Sequence, residues 1–330
     1  MSTQLRLEIH RITLQKQVYD NKRKRSEYIN MNFSDLLGNF GKTTAAALPT
    51  LWGEFIDYFK NQFVTNTDGD KAITATKNSN KSFSDIKNTI NGEIDGGPTN
   101  REQSIYKRKN ARTYTGKVLH DDVVASNHYV KLWLPTDYYS GVLMIQSYSN
   151  ANISDLVRKY FVKFIQGYKY RLLVSPYFPK VFEEKRRQDS TICSVTYIKD
   201  HLSKDKGKLI NPLFADVDNL KIKIVITGFK KPVSDFWKHF KKDEPSIHTN
   251  IDQLEIKSDE DIEVFAQYAD ENGRGSKVGI DKERLRDFSY IYLNDHIKID
   301  GKNTYDFDRI TEHTDGILEE VKKEIGYRKG

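Results

Sequence analysis

The stretch GNFGKTT, Gly38 to Thr44, contains Gly-Lys-Thr, a tripeptide that holds nucleotide phosphates in the right setting. That setting needs another glycine five residues earlier and a buried strand that leads into a helix, so that backbone amides wrap the phosphates. Leu36 occupies the position of that glycine, and the preceding NMNFSDLL is no buried parallel strand. We therefore interpret Gly38 and Gly41 as a connection that leads into a helix, and not as a nucleotide site.

The triplet His120-Asp121-Asp122 combines imidazole and carboxylate, the donors that suit a transition metal. Neighbouring residues of an extended chain point to opposite faces, so this triplet alone does not converge on one ion. The other histidines, such as His128 and His201, are scattered without ligand spacing. The sequence predicts a solvent-facing turn here, and no metal or cofactor.

Glu255-Ile256-Lys257 places a carboxylate and an amine on one face of a strand, with Ile256 on the other. This spacing resembles the core of the restriction-endonuclease-like family, in which such residues serve as metal ligand and catalytic lysine. The resemblance implies a further acidic residue from a neighbouring strand, and Asp218 and Asp235 are the candidates. Alternating charges on an exposed strand produce the same three letters, so a metal-dependent nuclease using Glu255 and Lys257 stands as an alternative.

Basic residues occur in three stretches and are interleaved with tyrosines. The first is Lys22 to Arg25, the second surrounds Lys107 between Tyr106 and Tyr114, and the third runs from Arg158 to Arg187. Cations neutralise phosphates and aromatic faces stack on unpaired bases, so this mixture favours nucleic acid, especially single strands. The alternative is that these tyrosines belong to a core and the cations merely extend from it into solvent. The predicted phosphate contacts are Lys107, Arg108, Lys109, Arg112, Arg186 and Arg187.

The composition is that of a chain able to fold without disulfides or a structural metal. Its 330 residues are 37% hydrophobic, 12% aromatic and 30% charged, with a formal net charge of +7. The single cysteine, Cys193, excludes an intramolecular disulfide and lies in the apolar run ICSVTYI, which predicts a buried, inert thiol. No run of residues has the apolar length of a membrane span. We expect a cytoplasmic protein with no membrane partner.

The periodicity predicts the elements that must position these residues. Residues 4–14 alternate as a half-buried strand, NKRKRSEYIN follows as a charged loop, and residues 48–63 have helical spacing. Residues 68–146 indicate an antiparallel meander in which GVLMIQ is buried on both faces, and residues 152–166 form a second helix. The sequence predicts an α+β fold, with mainly antiparallel sheets and packed helices.

Prolines and charges collect between residues 167 and 190, which indicates a domain boundary. The predicted division is an N-terminal α+β domain, residues 1–170, which holds the meander and helices, and a C-terminal α+β domain, residues 171–330.

The central region, residues 122–166, has a strand that ends at Leu134-Pro135, the segment Gly141 to Gln146, and then a helix. This pattern resembles uncharacterised bacterial proteins often encoded near phage-defence genes, and the resemblance implies a bacterial, antiviral setting. Together with the basic stretches it predicts a nucleic-acid-binding or sensing component of a defence system. Besides the nuclease, the other alternative is an oligomeric interaction scaffold, with a second copy or a partner defence protein; whether the protein is an enzyme stays open.

Overall fold

The computed structural model describes residues 4–20, 24–107, 110–149, 151–189, 191–202, 212–214, 220–228, 262–269, 275–280, 285–286, 290–293 and 295–328. Within these residues the fold is α+β with mainly antiparallel sheets, as the sequence predicted. Contacts between Cα atoms divide the chain into two compact units. The first unit is Met1–Pro179 with Ser289–Gly330, and the second is Lys180–Phe288.

The first unit is built on a ten-stranded sheet in the order β11-β1-β10-β9-β6-β4-β3, with β2 and β17 also paired to β1 and β5 to β6. A separate two-stranded sheet is formed by β7 and β8. The strands of this unit are β1 (Leu5–Asp20), β2 (Arg25–Asn30), β3 (Val64–Thr65), β4 (Lys71–Thr74), β5 (Lys81–Ser84), β6 (Thr89–Pro98), β7 (Gln103–Lys107), β8 (Asn110–Val118), β9 (Ser126–Trp133), β10 (Ser140–Tyr148), β11 (Arg171–Pro176) and β17 (Ile291–Tyr292).

Helices cover both faces of the large sheet. On one face, α1 (Phe33–Leu37), α2 (Thr44–Tyr58) and α3 (Ser154–Gln166) share an apolar core with strand residues such as Val130 and Leu132. The alternate residues of β9, Tyr129 and Lys131, lie on the opposite face and contact α5 (Phe307–Glu324). As predicted, β10 is buried on both faces throughout. The sheet thus has an apolar face under α2 and α3, and a face with many polar residues under α5.

The edge of β1 opposite β10 is covered by two pieces of chain that follow each other. β11 pairs with residues 10–15 of β1 and ends with Pro176 opposite His10, and β17 then places Ile291 opposite Leu7. Both run antiparallel to β1, so β17 continues the direction of β11 along the same edge. In sequence, the second unit is therefore inserted between two strands of the first unit, β11 and β17.

The second unit has the helix α4 (Lys180–Asp189) and a five-stranded antiparallel sheet in the order β13-β12-β14-β15-β16. Its strands are β12 (Thr191–Leu202), β13 (Leu220–Thr227), β14 (Ile262–Ala269), β15 (Gly275–Ile280) and β16 (Leu285–Arg286). β14 and β15 pair antiparallel, with Val264 opposite Ile280 and Ala269 opposite Gly275.

The prediction of a buried Cys193 is wrong, because the side chain is exposed. On the partner strand β14, Ile192 pairs with Tyr268 and Ser194 pairs with Gln267, so Cys193 is an extra residue in β12. Such a bulge changes which face the following residues occupy. The apolar neighbours of the cysteine in sequence therefore do not report its burial.

The division into these two units also differs from the domain boundary predicted at residue 170. Residues 171–179 and 289–330 group with the first unit through β11, β17 and α5. Which segments form independent domains stays a prediction. Among the described residues, no helix is both long enough and apolar enough to cross a membrane.

Candidate nucleic-acid interface

Residues 16–29 form a ribbon, here called the first arm, in which the end of β1 pairs with β2. Val18 and Tyr19 point to opposite faces of β1, yet they are 41% and 57% exposed. Tyr28 and Ile29 on β2 are likewise 47% and 46% exposed. A ribbon that is exposed on both faces projects from the sheet. The charged loop predicted here is thus largely a strand, since Arg25–Asn30 form β2.

A second ribbon, here called the second arm, spans residues 103–118, and among the described strands its β7 and β8 pair only with each other. Ile105, Tyr106 and Tyr114 are 47%, 53% and 55% exposed. The rings of Tyr106 and Tyr114 lie across the strands with centroids 5.8 Å apart, at an interplanar angle of 70°. This edge-to-face pair stabilises the ribbon and leaves aromatic surface in solvent.

Two cation–aromatic contacts join the first arm to residues at the start of β11. The guanidinium of Arg171 at the start of β11 is 4.7 Å from the ring centroid of Tyr28, and Nζ of Lys16 is 5.7 Å from that of Tyr170. Arg25 donates to Glu27 at 2.7 Å and keeps a side chain that is 64% exposed. Lys24 is exposed in the turn, with a positive φ of 49°.

The second arm carries four of the predicted phosphate contacts. Lys107 ends β7 opposite Asn110, and Arg112 lies in β8, but no description of their side chains is given by the structure. Arg108 and Lys109 lie outside the described residues. Nearer the body, Lys117 is paired with Glu102 at 2.7 Å, and this hydrogen bond lowers the pKa of Glu102. The cations toward the tip have no carboxylate between them in sequence.

The remaining predicted residues belong to the second unit. Arg186 and Arg187 lie on α4 in the second unit, with side chains outside the described part. Glu255 and Lys257, with Asp218 and Asp235, lie outside the described residues. Sequence reasoning missed Tyr19 and Tyr28, because the residues that flank the basic run from Lys22 to Arg25 show no apolar alternation.

The Gly-Lys-Thr stretch leads from helix α1 into α2 and not from a strand. Thr43 is the N-cap of α2, and its hydroxyl accepts a hydrogen bond from the Ala46 amide at 3.4 Å. Its role is therefore to begin a helix.

The His120 triplet lies in a turn closed by a hydrogen bond from the Asp122 amide to the Leu119 carbonyl. The side chains of His120 and Asp121 are open to solvent. Within the described ranges, no group of three or more His, Cys, Asp or Glu side chains is placed to hold a metal ion.

No protein-family model matches the chain, and comparisons with curated proteins and with solved structures find no match.

Proposed function

We propose that the protein binds nucleic acid through its two arms. The observation that carries the proposal is the distribution of charge. By formal charge the first arm is +3 and the second is +5, whereas the whole chain is +7, so the rest of the chain is −1. Each arm therefore has a local excess of positive charge in its sequence, although the third basic stretch, from Arg158 to Arg187, is net positive as well. Such cations attract a polyanion over a long range and release its counterions on contact.

The exposed tyrosines favour single strands as the substrate. Tyr106 and Tyr114 on one arm, and Tyr19 and Tyr28 on the other, present ring surface beside cations. Stacking of a base on such a ring contributes about 1–3 kcal/mol and tolerates any sequence. A basic two-stranded ribbon also fits the major groove of a duplex, so duplex binding is the comparison to make.

The test is fluorescence anisotropy with labelled single strands of about 20 nucleotides, and with the matching duplex. Replacing Lys107 and Arg112 with alanine removes two cations of the second arm, and we expect affinity to fall about tenfold. The control is Lys42→Ala with Lys302→Ala, which removes the same charge at exposed positions outside both arms. Equal losses in the two double variants would show that only total charge matters, and the proposal would fail.

A second pair of variants tests stacking. Tyr106→Ala with Tyr114→Ala keeps every charge. Relative to the unchanged protein, we expect the affinity for single strands to fall more than the affinity for duplex. The control is Ile86→Ala, which removes an exposed apolar side chain, 77% accessible, from outside the arms. If both strand types respond alike, the tyrosines only stabilise the ribbon.

The cellular setting, the nuclease and the interaction scaffold remain predictions from the sequence. A bacterial cytoplasmic setting and a role in antiviral defence are tested by plaque counts on cells with and without the gene. A nuclease using Glu255 and Lys257 is tested by incubating plasmid with Mg²⁺ or Mn²⁺, beside Glu255→Ala. The scaffold alternative is tested by the native mass of the particle. These outcomes do not depend on the arms.

A further inference from the structure

A cavity of about 560 Å³ lies on the face of the large sheet that α5 covers, within the first unit. Its walls come from β6, β9 and β10 on one side, and from the segment that enters α5 on the other. The lining residues that matter here are Glu93, Asn127, Tyr148, Tyr305, Phe307 and Asp308. This volume is in the range of small-molecule sites.

Glu93 places a buried negative charge in the cavity wall. The residue is 4% exposed, and its carboxylate accepts hydrogen bonds from the Tyr305 hydroxyl at 2.9 Å and the Asn80 amide at 3.2 Å, with Asn127 Nδ2 at 3.4 Å. All three donors are neutral, and none of the described residues that line the cavity is Lys, Arg or His. A buried charge without a counter-charge is costly, so this wall favours a cation.

Neighbouring groups respond to the same negative field. Burial, and then the charge of Glu93, raise the pKa of Asp95, which follows Glu93 on the same face of β6. Burial and Glu93 likewise raise the pKa of Tyr148 to about 12. The negative charge of Glu93 is therefore felt by its neighbours around the cavity.

A second negative region lies at the start of α5. Asp306 caps the helix, where its Oδ1 accepts from the amides of Asp308 and Arg309. Asp308 is exposed, and the Arg309 guanidinium donates to the His296 and Lys298 carbonyls. These carboxylates and Glu93 line one cavity, yet in the described residues no three of them are placed around a single metal ion. The negative charge is spread and not convergent.

Aromatic groups complete the surroundings. Tyr148, Tyr305 and Phe307 line the cavity, and the faces of such rings attract organic cations. We propose that the cavity binds a small organic cation with two separated positive charges, of the aliphatic diamine class, with one ammonium at Glu93 and the other near Asp308.

The test uses calorimetric titration of the full chain with putrescine at constant ionic strength. We expect saturable binding to the unchanged protein, and none for 1,4-butanediol, which has the same length without the charges. Glu93→Gln keeps a hydrogen-bond acceptor in the same shape and removes the charge, so we expect affinity to fall at least about tenfold. Asp308→Asn, at an exposed position that does not endanger folding, should weaken binding by about threefold or more.

The matched control is Glu312→Gln, an exposed carboxylate of α5 that does not line the cavity, which should change affinity by less than about twofold. Circular dichroism shows whether each variant is folded. If Glu93→Gln does not fold, the affinity of Asp308→Asn for putrescine tests the proposal. The proposal fails if putrescine does not saturate by about 10 mM, if the diol binds as well, or if all three variants weaken binding equally. None of these outcomes bears on nucleic-acid binding by the arms.

Discussion

Lys131 is a charged residue inside a strand core, with a side chain 1% exposed. Its ammonium donates to Asp315, to the Thr314 hydroxyl at 3.1 Å and to the Thr311 carbonyl at 3.3 Å, so each proton has an acceptor on α5. Burial opposes ionisation of Asp315, but hydrogen bonds from Lys131 and Lys87 hold its pKa below the ordinary value. In the sequence HYVKLWL this lysine looks like an outward residue, because its partner is 184 residues away.

The two halves of this ion pair should differ in cost when removed. Asp315→Asn leaves the Lys131 charge buried without an anion, and we expect a loss of about 3 kcal/mol in the free energy of unfolding. Lys131→Met leaves Asp315 with Lys87 at 2.6 Å and with partial access to water, so we expect about 1 kcal/mol or less. Urea denaturation of both variants measures the difference. Equal losses would contradict this assignment.

His128 should make stability depend on pH. It is fully buried, with Nδ1 and Nε2 each 3.2 Å from a backbone carbonyl oxygen, and burial lowers its pKa from 6.5 to about 4. The unfolded chain therefore binds a proton between these pH values that the folded chain does not. Stability should fall as pH falls from 6.5 to 4, by about 3 kcal/mol from this residue.

Urea midpoints at several pH values test this expectation, with His128→Gln as the comparison. The variant lacks the titrating ring, so its stability should vary less over the same interval. Superimposable pH profiles for the two proteins would exclude His128 as the source.

At the scale of elements, periodicity was a sound guide where one face of a helix or strand packs on a core. Periodicity predicted a strand at β1, helices at α2 and α3, and the doubly buried β10, because each has an apolar pattern longer than a turn. It did not give β2, whose residues are exposed on both faces and so carry no apolar alternation. A ribbon that is exposed on both faces has no apolar periodicity. Its run of basic residues is therefore the feature that distinguishes it in the sequence.

The contact of α2 with the sheet depends on a missing side chain. A Cβ on Gly92 of β6 would lie 2.1 Å from Cζ2 of Trp52, which is 1% exposed, whereas a Cβ on Gly53 of α2 would meet nothing within 4 Å. Gly92→Ala should cost about 2 kcal/mol or more by overpacking, while Gly53→Ala should add about 0.5–1 kcal/mol through helix propensity. Thermal melts compare the two, and a shift in the same direction would be inconsistent with this packing.

At the scale of the molecule, the second unit separates β11 from β17 in sequence, so the sequence did not predict that both strands pair with β1. The partner β17 has two residues, too few for any periodicity to indicate, and it lies 115 positions after the end of β11. Its pairing and the packing of α5 are long-range events that no local pattern encodes. The sequence therefore placed residues 171–330 together, where contacts divide them between two units.

Excision of the insertion tests this organisation. Pro176 and Ile291 lie opposite His10 and Leu7, three positions apart on β1, or about 10 Å. Joining Pro179 to Ser289 through about six Gly and Ser residues should give a protein that unfolds cooperatively. A fragment of residues 1–170, which lacks β11, β17 and α5, should not. Cooperative unfolding of the fragment alone would instead support the division predicted from the sequence.

The central claim is that the arms, and not cations elsewhere, contact the phosphates, and the dependence of single-strand affinity on salt tests it most directly. Each phosphate contact contributes about 0.7 to the slope of log affinity against log salt. Lys107→Ala with Arg112→Ala should flatten the slope by about 1.4, whereas excision of residues 180–288, with Arg186 and Arg187, should leave it unchanged. An unchanged slope in the arm variant, or a slope that collapses on excision, would contradict the account.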